Sequence, residues 1–337
     1  MIKRTTINDL AKALELSPTL ISMVLNGKGD KNKISKQTQK RVFDIARKMN
    51  YTPNQNARAL RTGKTNVIGL IVPDISNPFY SRISRDLEDL LGTSGYRLIL
   101  GSTDEDPEKE KKLIKLFLDQ NVDGIISAST LTNDKAYLEV MGAGKVVILF
   151  DRVFPKSTIS SVSVQNSQGA YIAVENLAKK GKKNIGYLTL TPQHISPLAD
   201  RKTGFTEAMK KMKLKFSPSS ICEIRFDEVD GGFEKNFSAW IKKNPQLDAI
   251  VVANNSLAVQ VLKYYKDQPK AKRPSIVSFD DHVAFEVTSP SITAITQPVD
   301  EIATKTVQVL LETLEDKTIK PKHIVLPVGL ELRESHK

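Results

Sequence analysis

The sequence predicts two parts of different fold class: a short all-α helix-turn-helix domain at the amino terminus, then a two-lobed α/β body with parallel sheets. Three observations predict this organisation. Almost all of the net positive charge lies in the first fifth of the chain. That fifth also contains three helix-start signals. From Val67 onward, apolar runs of strand length alternate with helical patterns, in two successive copies.

The uneven charge indicates a small module that binds a polyanion. The 337 residues include 50 Lys and Arg against 38 Asp and Glu, a net charge of +12. Residues 1–66 hold 14 of the basic and four of the acidic side chains, so this segment carries +10 and the remainder only +2. A strongly basic module in front of a nearly neutral body is typical of a nucleic-acid reader joined to a second function.

Local signals place three helices in the basic module. Thr6 with Asp9 forms a shortened capping box, and Ser17 followed by Pro18 is a strong start for the second helix. Ser35 begins the third. About three residues separate the first two helices, which is the spacing of a helix-turn-helix. The side chains expected to point outward from the second helix are Thr19, Ser22, Met23 and Asn26.

Pattern alone leaves plainer alternatives open. The module is also compatible with a small helical bundle whose charges are a solvated face. Residues 54–60, sequence NQNARAL, are too few for a stable isolated helix, so a flexible linker competes with a short helix. Gly63-Lys64-Thr65 is not a phosphate-binding loop, because Arg58 stands where the earlier glycine is required and the strand follows the motif.

The body is a duplicated α/β unit with similar spacing in each copy. The strand-like runs 67–72, 122–126 and 146–151 are echoed by the runs 184–188, 247–252 and 276–280. Two copies predict two lobes, with crossings near residues 164–166 and 296–299. We therefore expect a domain at 1–53, a hinge and linker at 54–66 and the body at 67–337, with lobe 1 at about 67–164 and 297–322 and lobe 2 at about 165–296 and 323–337.

Polar side chains follow the predicted strands. Because ligands bind outside the carboxyl ends of parallel strands, two lobes should present these side chains to a shared cleft. Carboxylates, amides and guanidinium groups suit the recognition of hydroxyls, and Phe79 offers a stacking face for a sugar ring. The alternative for each Asx residue is a cap of the next helix. The candidates are Asp74, Asn77, Asp104, Ser127, Asp151, Arg152, Arg201, Asn254, Asn255, Asp280, Asp281 and Gln297.

Motifs in both parts resemble the LacI/GalR (lactose/galactose repressor) family of transcriptional regulators. They are TINDLAKALELSPTLISMVLNGKG, NARALRTGKTNVIGLIVPDISNPFY, VDGII, LFDR, SFDD, ITQPVDE and LPVGLELRES, and they cover essentially the whole chain. The resemblance implies a periplasmic-binding-protein-like (type I) effector domain behind a DNA-binding domain. It also implies a repressor that binds a pseudopalindromic operator in double-stranded DNA as a homodimer.

The resemblance places the second helix in the major groove and makes residues 54–60 a hinge helix, with Leu60 wedged into the minor groove. Two positions depart from the family pattern. Met23 stands where Arg or another polar residue is usual, and Leu20 where Thr is usual. Met cannot make the bidentate guanine contact that Arg makes. The DNA-binding residues implied are Thr6, Ser17, Pro18, Thr19, Ser22, Met23, Asn26, Asn54, Ala57, Arg58 and Leu60.

The resemblance also implies the effector site. The family's effector contacts fall on Asp151, Arg201, Asn254, Asp280 and Gln297, and those of related pentose-binding proteins on Asn77, Phe79 and Arg152. All eight positions hold chemically intact side chains. We therefore expect a small polar effector, a sugar or sugar derivative, whose binding closes the lobes and changes operator affinity.

Other function classes fit the sequence less well. A transport solute-binding protein has the same lobes, but the start, MIKRTTINDL, has no apolar run typical of a signal peptide. We expect a cytoplasmic, nucleoid-associated protein without membrane contact. No nucleophile–base pair or dinucleotide loop supports an enzyme, so we expect no catalytic residues and no cofactor. Four scattered histidines and the single Cys222 predict neither a metal site nor an internal disulfide.

Overall fold

The computed structural model of the chain describes residues 5–51, 63–269 and 273–336. Its contacts divide the chain into two units, Met1–Thr65 and Asn66–Lys337. The division falls just after Lys64, the last basic residue of the charged segment. The unit boundary and the charge boundary therefore coincide.

The first unit packs three helices around one small core. The Thr6 hydroxyl accepts a hydrogen bond from the Asp9 N–H, the Asp9 carboxylate accepts one from the Thr6 N–H, and Ser17 and Ser35 cap the next two helices, as the sequence predicts. Glu15 ends the first helix at φ 56°, a left-handed conformation that is strained for a residue with a Cβ. The helices are α1 (Ile7–Leu14), α2 (Pro18–Leu25) and α3 (Lys36–Lys48), and their core consists of Leu10, Ala11, Leu14, Ile21, Val24, Val42 and Ala46.

The second unit is built on two six-stranded sheets of the same strand order. The strands are β1 (Val67–Val72), β2 (Arg97–Ser102), β3 (Gly124–Ser127), β4 (Val146–Phe150), β5 (Ser160–Val164), β6 (Ile185–Thr191), β7 (Ile221–Arg225), β8 (Ala249–Val252), β9 (Ser275–Phe279), β10 (Thr293–Thr296), β11 (His323–Leu326) and β12 (Gly329–Glu331). The first sheet has the order β11-β5-β4-β3-β1-β2 and the second β12-β10-β9-β8-β6-β7. The described pairings are parallel, except that β12 runs antiparallel to β10.

Helices follow the strands, as the alternating pattern predicts. They are α4 (Pro78–Thr93), α5 (Pro107–Asp119), α6 (Lys135–Gly142), α7 (Asn166–Lys179), α8 (Ser196–Lys211), α9 (Phe233–Lys243), α10 (Asn255–Tyr265), α11 (Ala284–Val287) and α12 (Val299–Glu315). In lobe 1, which contains the first sheet, α4 and α12 share one core with Ile68 and Leu70, whereas α5 and α6 share another with Ile71. The sheet therefore lies between two helical layers. The core of lobe 2 lies around the second sheet.

Strand β11 joins lobe 1, so the sequence analysis was wrong to place all of residues 323–337 in lobe 2. It pairs in parallel with β5, from His323 opposite Ser161 to Leu326 opposite Val164. The chain passes between the sheets three times, after β5, β10 and β11. A four-residue strand carries no local signal for its partner, because either of two similar sheets can accept it. Tertiary packing makes that choice.

Gly204 permits the closest approach between α7 and α8. A Cβ added there lies 1.9 Å from the carbonyl oxygen of Ser167, so Gly204→Ala must displace backbone. We expect this change to lower the free energy of unfolding by about 3 kcal/mol. The matched control is Gly92→Ala in α4, where an added Cβ meets nothing within 4 Å. It should be neutral or stabilise by up to about 1 kcal/mol. Equal midpoints for the two variants in urea unfolding contradict this account.

Candidate functional site

A cavity of about 1030 Å³ lies between the two lobes. Its walls are loops and helix starts at the carboxyl ends of the parallel strands of both sheets, the edge where open α/β sheets bind ligands. All eight side chains proposed for the effector line the cavity: Asn77, Phe79, Asp151, Arg152, Arg201, Asn254, Asp280 and Gln297. Three of the other polar candidates, Asp74, Asp104 and Asn255, line it as well.

Two candidates lie outside the cavity lining. Ser127 is buried within lobe 1, where its Oγ lies 2.5 Å from the hydroxyl of Tyr137. Asp281 forms a bidentate ion pair with Arg333, at 2.8 and 2.7 Å. Of Asp280 and Asp281, therefore, only Asp280 contributes its side chain to the cavity.

The guanidinium group of Arg201 is held from several sides. Its Nε donates to Asn166 Oδ1 at 2.8 Å, and its Nη1 donates to the carbonyl oxygen of Ala253 at 2.6 Å. Nη1 also lies 3.5 Å from Asp280 Oδ2, and only 4% of the Arg201 side chain is exposed. Its Cζ stacks 3.6 Å from the ring centroid of Phe279. This planar donor is thereby held in one orientation.

Asp151 and Asp280 occupy equivalent positions in the two lobes, one residue after β4 and one residue after β9. Both have left-handed backbone, with φ of 57° and 64°. Such a conformation is uncommon for residues other than glycine, although Asp adopts it more readily than most. The Tyr80 hydroxyl donates to Asp151 Oδ2 at 2.6 Å, and Gln297 Nε2 donates to Asp280 Oδ1 at 2.6 Å. Each lobe thus contributes one buried, oriented carboxyl group.

Burial shifts the pKa values of Asp151 and of its hydrogen-bond partner Tyr80. It raises the pKa of Asp151 above the usual carboxyl range, although the positive charges of Arg201 and Arg152 act in the opposite direction. Burial also raises the pKa of the Tyr80 phenol well above its ordinary value, so this hydroxyl remains a donor. In such a desolvated place a hydrogen bond is electrostatically stronger than in water.

Asn77 and Asn254 are helix caps as well as cavity residues. Asn77 Oδ1 accepts from the Phe79 N–H at 3.0 Å at the start of α4, and Asn254 Oδ1 accepts from the Leu257 N–H at 2.9 Å at the start of α10. The capping alternative is therefore correct for the side-chain oxygen of each residue. It does not exclude ligand contact, since both residues line the cavity.

Arg152 is held by a carboxylate that the sequence analysis did not single out. Its Nη1 and Nη2 donate to Glu105 at 2.8 and 2.6 Å, with 7% and 14% of the two side chains exposed. Tyr80 and Asn166 were missed in the same way. The rule that polar residues follow strands identifies Asp104 after β2 but not Glu105 next to it.

In the first unit, the described side chains proposed to contact DNA lie on α2 and its two caps, with Thr6 at the start of α1. Asn26 Nδ2 donates to the carbonyl oxygen of Ser22 at 2.7 Å, which ties this amide to the end of the helix. Thr6, Ser17, Pro18, Thr19 and Asn26 are exposed, and Ser22 and Met23 are half-buried. The four proposed hinge residues, Asn54, Ala57, Arg58 and Leu60, lie outside the described residues.

Neither a cluster of metal-ligand side chains nor a membrane-spanning helix occurs in the part of the chain that the structure describes. Within residues 5–51, 63–269 and 273–336, no group of three or more His, Cys, Asp or Glu side chains is placed to hold a metal ion. In the same ranges, no helix is long and apolar enough to cross a membrane. Cys222 is buried in lobe 2, and burial raises its pKa to about 12.

Fold and site together define a class: a helix-turn-helix unit joined to a two-lobed α/β unit of the periplasmic-binding-protein type. Family models match both parts, the lacI family of bacterial regulatory proteins at residues 6–54 and a periplasmic binding protein-like domain at residues 174–336. The ribose operon repressor of Halalkalibacterium halodurans is 30% identical over 335 residues, which are 99% of this chain and 97% of that protein. The chain belongs to the LacI family, whose members are DNA-binding transcriptional regulators and not enzymes.

Solved structures share this architecture. A periplasmic binding protein/LacI transcriptional regulator from Alkaliphilus metalliredigens QYMF, complexed with D-xylulofuranose, is 25% identical with a TM-score of 0.68, covering 80% of this chain and 98% of that one. A lac repressor dimer bound to operator and an anti-inducer has a TM-score of 0.83 at 20% identity, with 99% of both chains covered. These similarities confirm the predicted fold class, and the family models with the ribose operon repressor confirm the family resemblance.

The buried pair of Arg201 and Asp280 provides a test of the site's construction. We expect Arg201→Met to lower the free energy of unfolding by about 3 kcal/mol, because it leaves a desolvated carboxylate uncompensated. Adding Asp280→Asn should restore at least about 1 kcal/mol, since the unpaired charge is then gone. The control is Arg225→Met, which breaks the exposed pair with Asp227 and should cost under about 1 kcal/mol. Strictly additive losses in denaturant unfolding disprove the coupling.

Proposed function

We propose that this protein is a transcriptional repressor that binds a pseudopalindromic operator as a homodimer and changes its operator affinity when a small, sugar-like effector binds between the lobes. The observation that carries this proposal is the cavity. There, a buried carboxyl group from each lobe and two arginines lie together at the carboxyl ends of the strands. A ligand that touches both lobes favours their closed arrangement, because only that arrangement satisfies all of its contacts.

The chemistry of the cavity favours a sugar over an apolar effector. Asp151 and Asp280 are acceptors for hydroxyl groups, and Arg201 and Gln297 supply donors. Phe79 adds an aromatic face, packed edge-on against Tyr80 with the ring centroids 5.1 Å apart. The names of the relatives agree with this choice, since one is a ribose operon repressor and another was solved with D-xylulofuranose.

The first unit supplies the proposed DNA-binding function. Its +10 charge attracts the phosphate backbone, and the exposed side chains of α2 are of a size and polarity that suit contacts in the major groove. Two copies of α2 require two half-sites about one helical turn, or a multiple of it, apart. Met23 offers an apolar contact such as a thymine methyl group in place of a guanine contact. We propose that, as a DNA-binding regulator, the protein acts in the cytoplasm, on the nucleoid.

Homodimerisation is proposed through the lobes of the second unit. Helix α4 and the sheet edge formed by β2 are the candidate surfaces in lobe 1, where Ile99 and Leu100 are each 39% exposed. In lobe 2, Val283 and Val287 at α11 are 79% and 83% exposed. Contiguous exposed apolar patches mark interaction sites, so we propose these neighbouring residues as the apolar part of the interface. A change in lobe closure then alters the distance between the two DNA-binding units and so the operator affinity.

The DNA-binding function predicts a steep salt dependence. For the full-length protein, the logarithm of the operator association constant should fall linearly with the logarithm of salt concentration, measured by fluorescence anisotropy. Thr19→Ala should weaken specific binding about tenfold, because one contact to a base edge is lost. Ser94→Ala, in an exposed turn of the second unit, is the control and should leave affinity unchanged. A flat salt slope rules out this function.

The effector function predicts ligand-dependent stability. In a thermal-shift panel of pentoses and hexoses, at least one sugar should raise the melting temperature of the full-length protein by several degrees at saturation. Arg201→Lys should abolish that rise while operator binding persists, since an ammonium group cannot replace the planar fork held over Phe279. The control Arg225→Lys, at the exposed rim of the cavity, should keep the rise. Loss of operator binding in Arg201→Lys means that the residue is only structural.

A further inference from the structure

The cavity contains an arginine whose charge is already neutralised. Arg152 and Glu105 form a bidentate pair, both residues line the cavity, and neither side chain is more than 14% exposed. Glu105 is itself held in place, because its N–H donates to the carbonyl oxygen of Pro73 at 3.2 Å and its φ is 60°. A guanidinium group occupied in this way has little attraction left for an anionic ligand.

The other charged side chains of the cavity also disfavour an anionic ligand. Seven Asp or Glu side chains line the cavity against four Lys or Arg side chains. The two other lining arginines also have carboxylate neighbours, Arg201 with Asp280 at 3.5 Å and Arg225 with Asp227 at 2.6 Å. A phosphate group entering this cavity therefore meets an excess of negative charge.

At two of the helix starts that line the cavity, those of α4 and α10, a side chain occupies one of the free N–H groups. Asn77 accepts a hydrogen bond from the Phe79 N–H, and Asn254 accepts one from the Leu257 N–H. An uncharged hydroxyl needs no such site, whereas phosphates commonly bind there. Fewer free N–H groups therefore remain at these two helix starts to bind a phosphate.

We propose that Glu105 is a specificity-determining residue that reserves the cavity for uncharged, unphosphorylated sugars by occupying Arg152. This inference rests on the proposed effector function and narrows its ligand class. Arg152 keeps further N–H groups that can donate to neutral hydroxyls, because two of its five donors serve Glu105. Its Cζ lies 6.0 Å from the Tyr80 ring of lobe 1 and 5.7 Å from the Phe226 ring of lobe 2, so the pair sits where the lobes meet.

The test compares neutral sugars with their phosphates. Isothermal titration of the full-length protein uses D-ribose, D-xylose and D-glucose, each beside its terminal phosphate ester. In the unaltered protein we expect the best neutral sugar to bind at least about tenfold more tightly than its phosphate. Glu105→Gln keeps the shape of the side chain but frees the charge of Arg152, and should narrow that ratio by about tenfold or more, through tighter phosphate binding.

Three further variants identify the cause. Glu108→Gln removes the same charge from an exposed position paired with Lys111, and should leave the ratio unchanged. Glu105→Asp keeps the charge and should preserve the selectivity, which keeps the test decisive if Glu105→Gln folds poorly. The double change Glu105→Gln with Arg152→Gln should lose the gain in phosphate affinity, because the freed cation is gone.

The outcomes separate the two proposals. If the unaltered protein binds the sugar phosphates as tightly as the neutral sugars, the proposed role of Glu105 is overturned. The proposed function as a sugar-responsive regulator then still stands. An equal effect of Glu105→Gln and Glu108→Gln also overturns it, since net charge alone then sets the ratio. If the unaltered protein binds neither form of any of these sugars, the proposed sugar effector is rejected, and the specificity inference with it.

Discussion

Parallel pairing is the constraint on which the second unit depends. Parallel strands begin at one edge of a sheet and end at the other, so every loop after a strand reaches the same edge. The two sheets have equivalent orders and face each other across those edges. Residues far apart in sequence, such as Asp151 after β4 and Asp280 after β9, therefore lie around one cavity. The duplication also explains why each of them follows an apolar strand and has a left-handed backbone.

Buried charges connect this geometry to function. Arg201 lies on α8, yet its contacts are the first residue of α7, a backbone oxygen after β8 and a ring at the end of β9. Burying a charge is costly unless it is paired and hydrogen-bonded. The cavity therefore tolerates Arg201 and Arg152 only because Asp280 and Glu105 are in place. The groups that make the interior stable are also the groups that decide which ligand charge it accepts.

Much of the fold and of the candidate site was predictable from the sequence because the signals are local. The caps at Thr6, Ser17 and Ser35 each involve a residue three positions away, and all three are present. The eight effector candidates, which the family resemblance implied, all line the cavity, although Phe79 and Arg201 lie within helices and do not directly follow a strand. Glu105 and Asn166 were not found, since their roles depend on partners 47 and 35 residues away. Ser127 was wrongly included because a strand end does not specify which way its side chain points.

The amino-acid sequence by itself determined the basic module, its helix starts, the alternation of strands and helices and the residue types at the strand ends. These follow from interactions within a few residues and from composition. Only the tertiary structure decided that β11 pairs with β5, that Asp280 and not Asp281 lines the cavity, and that Glu105 neutralises Arg152. In each case the local sequence favours neither of the possible arrangements. Long-range packing and the free-energy cost of leaving a buried charge unpaired decide which one forms.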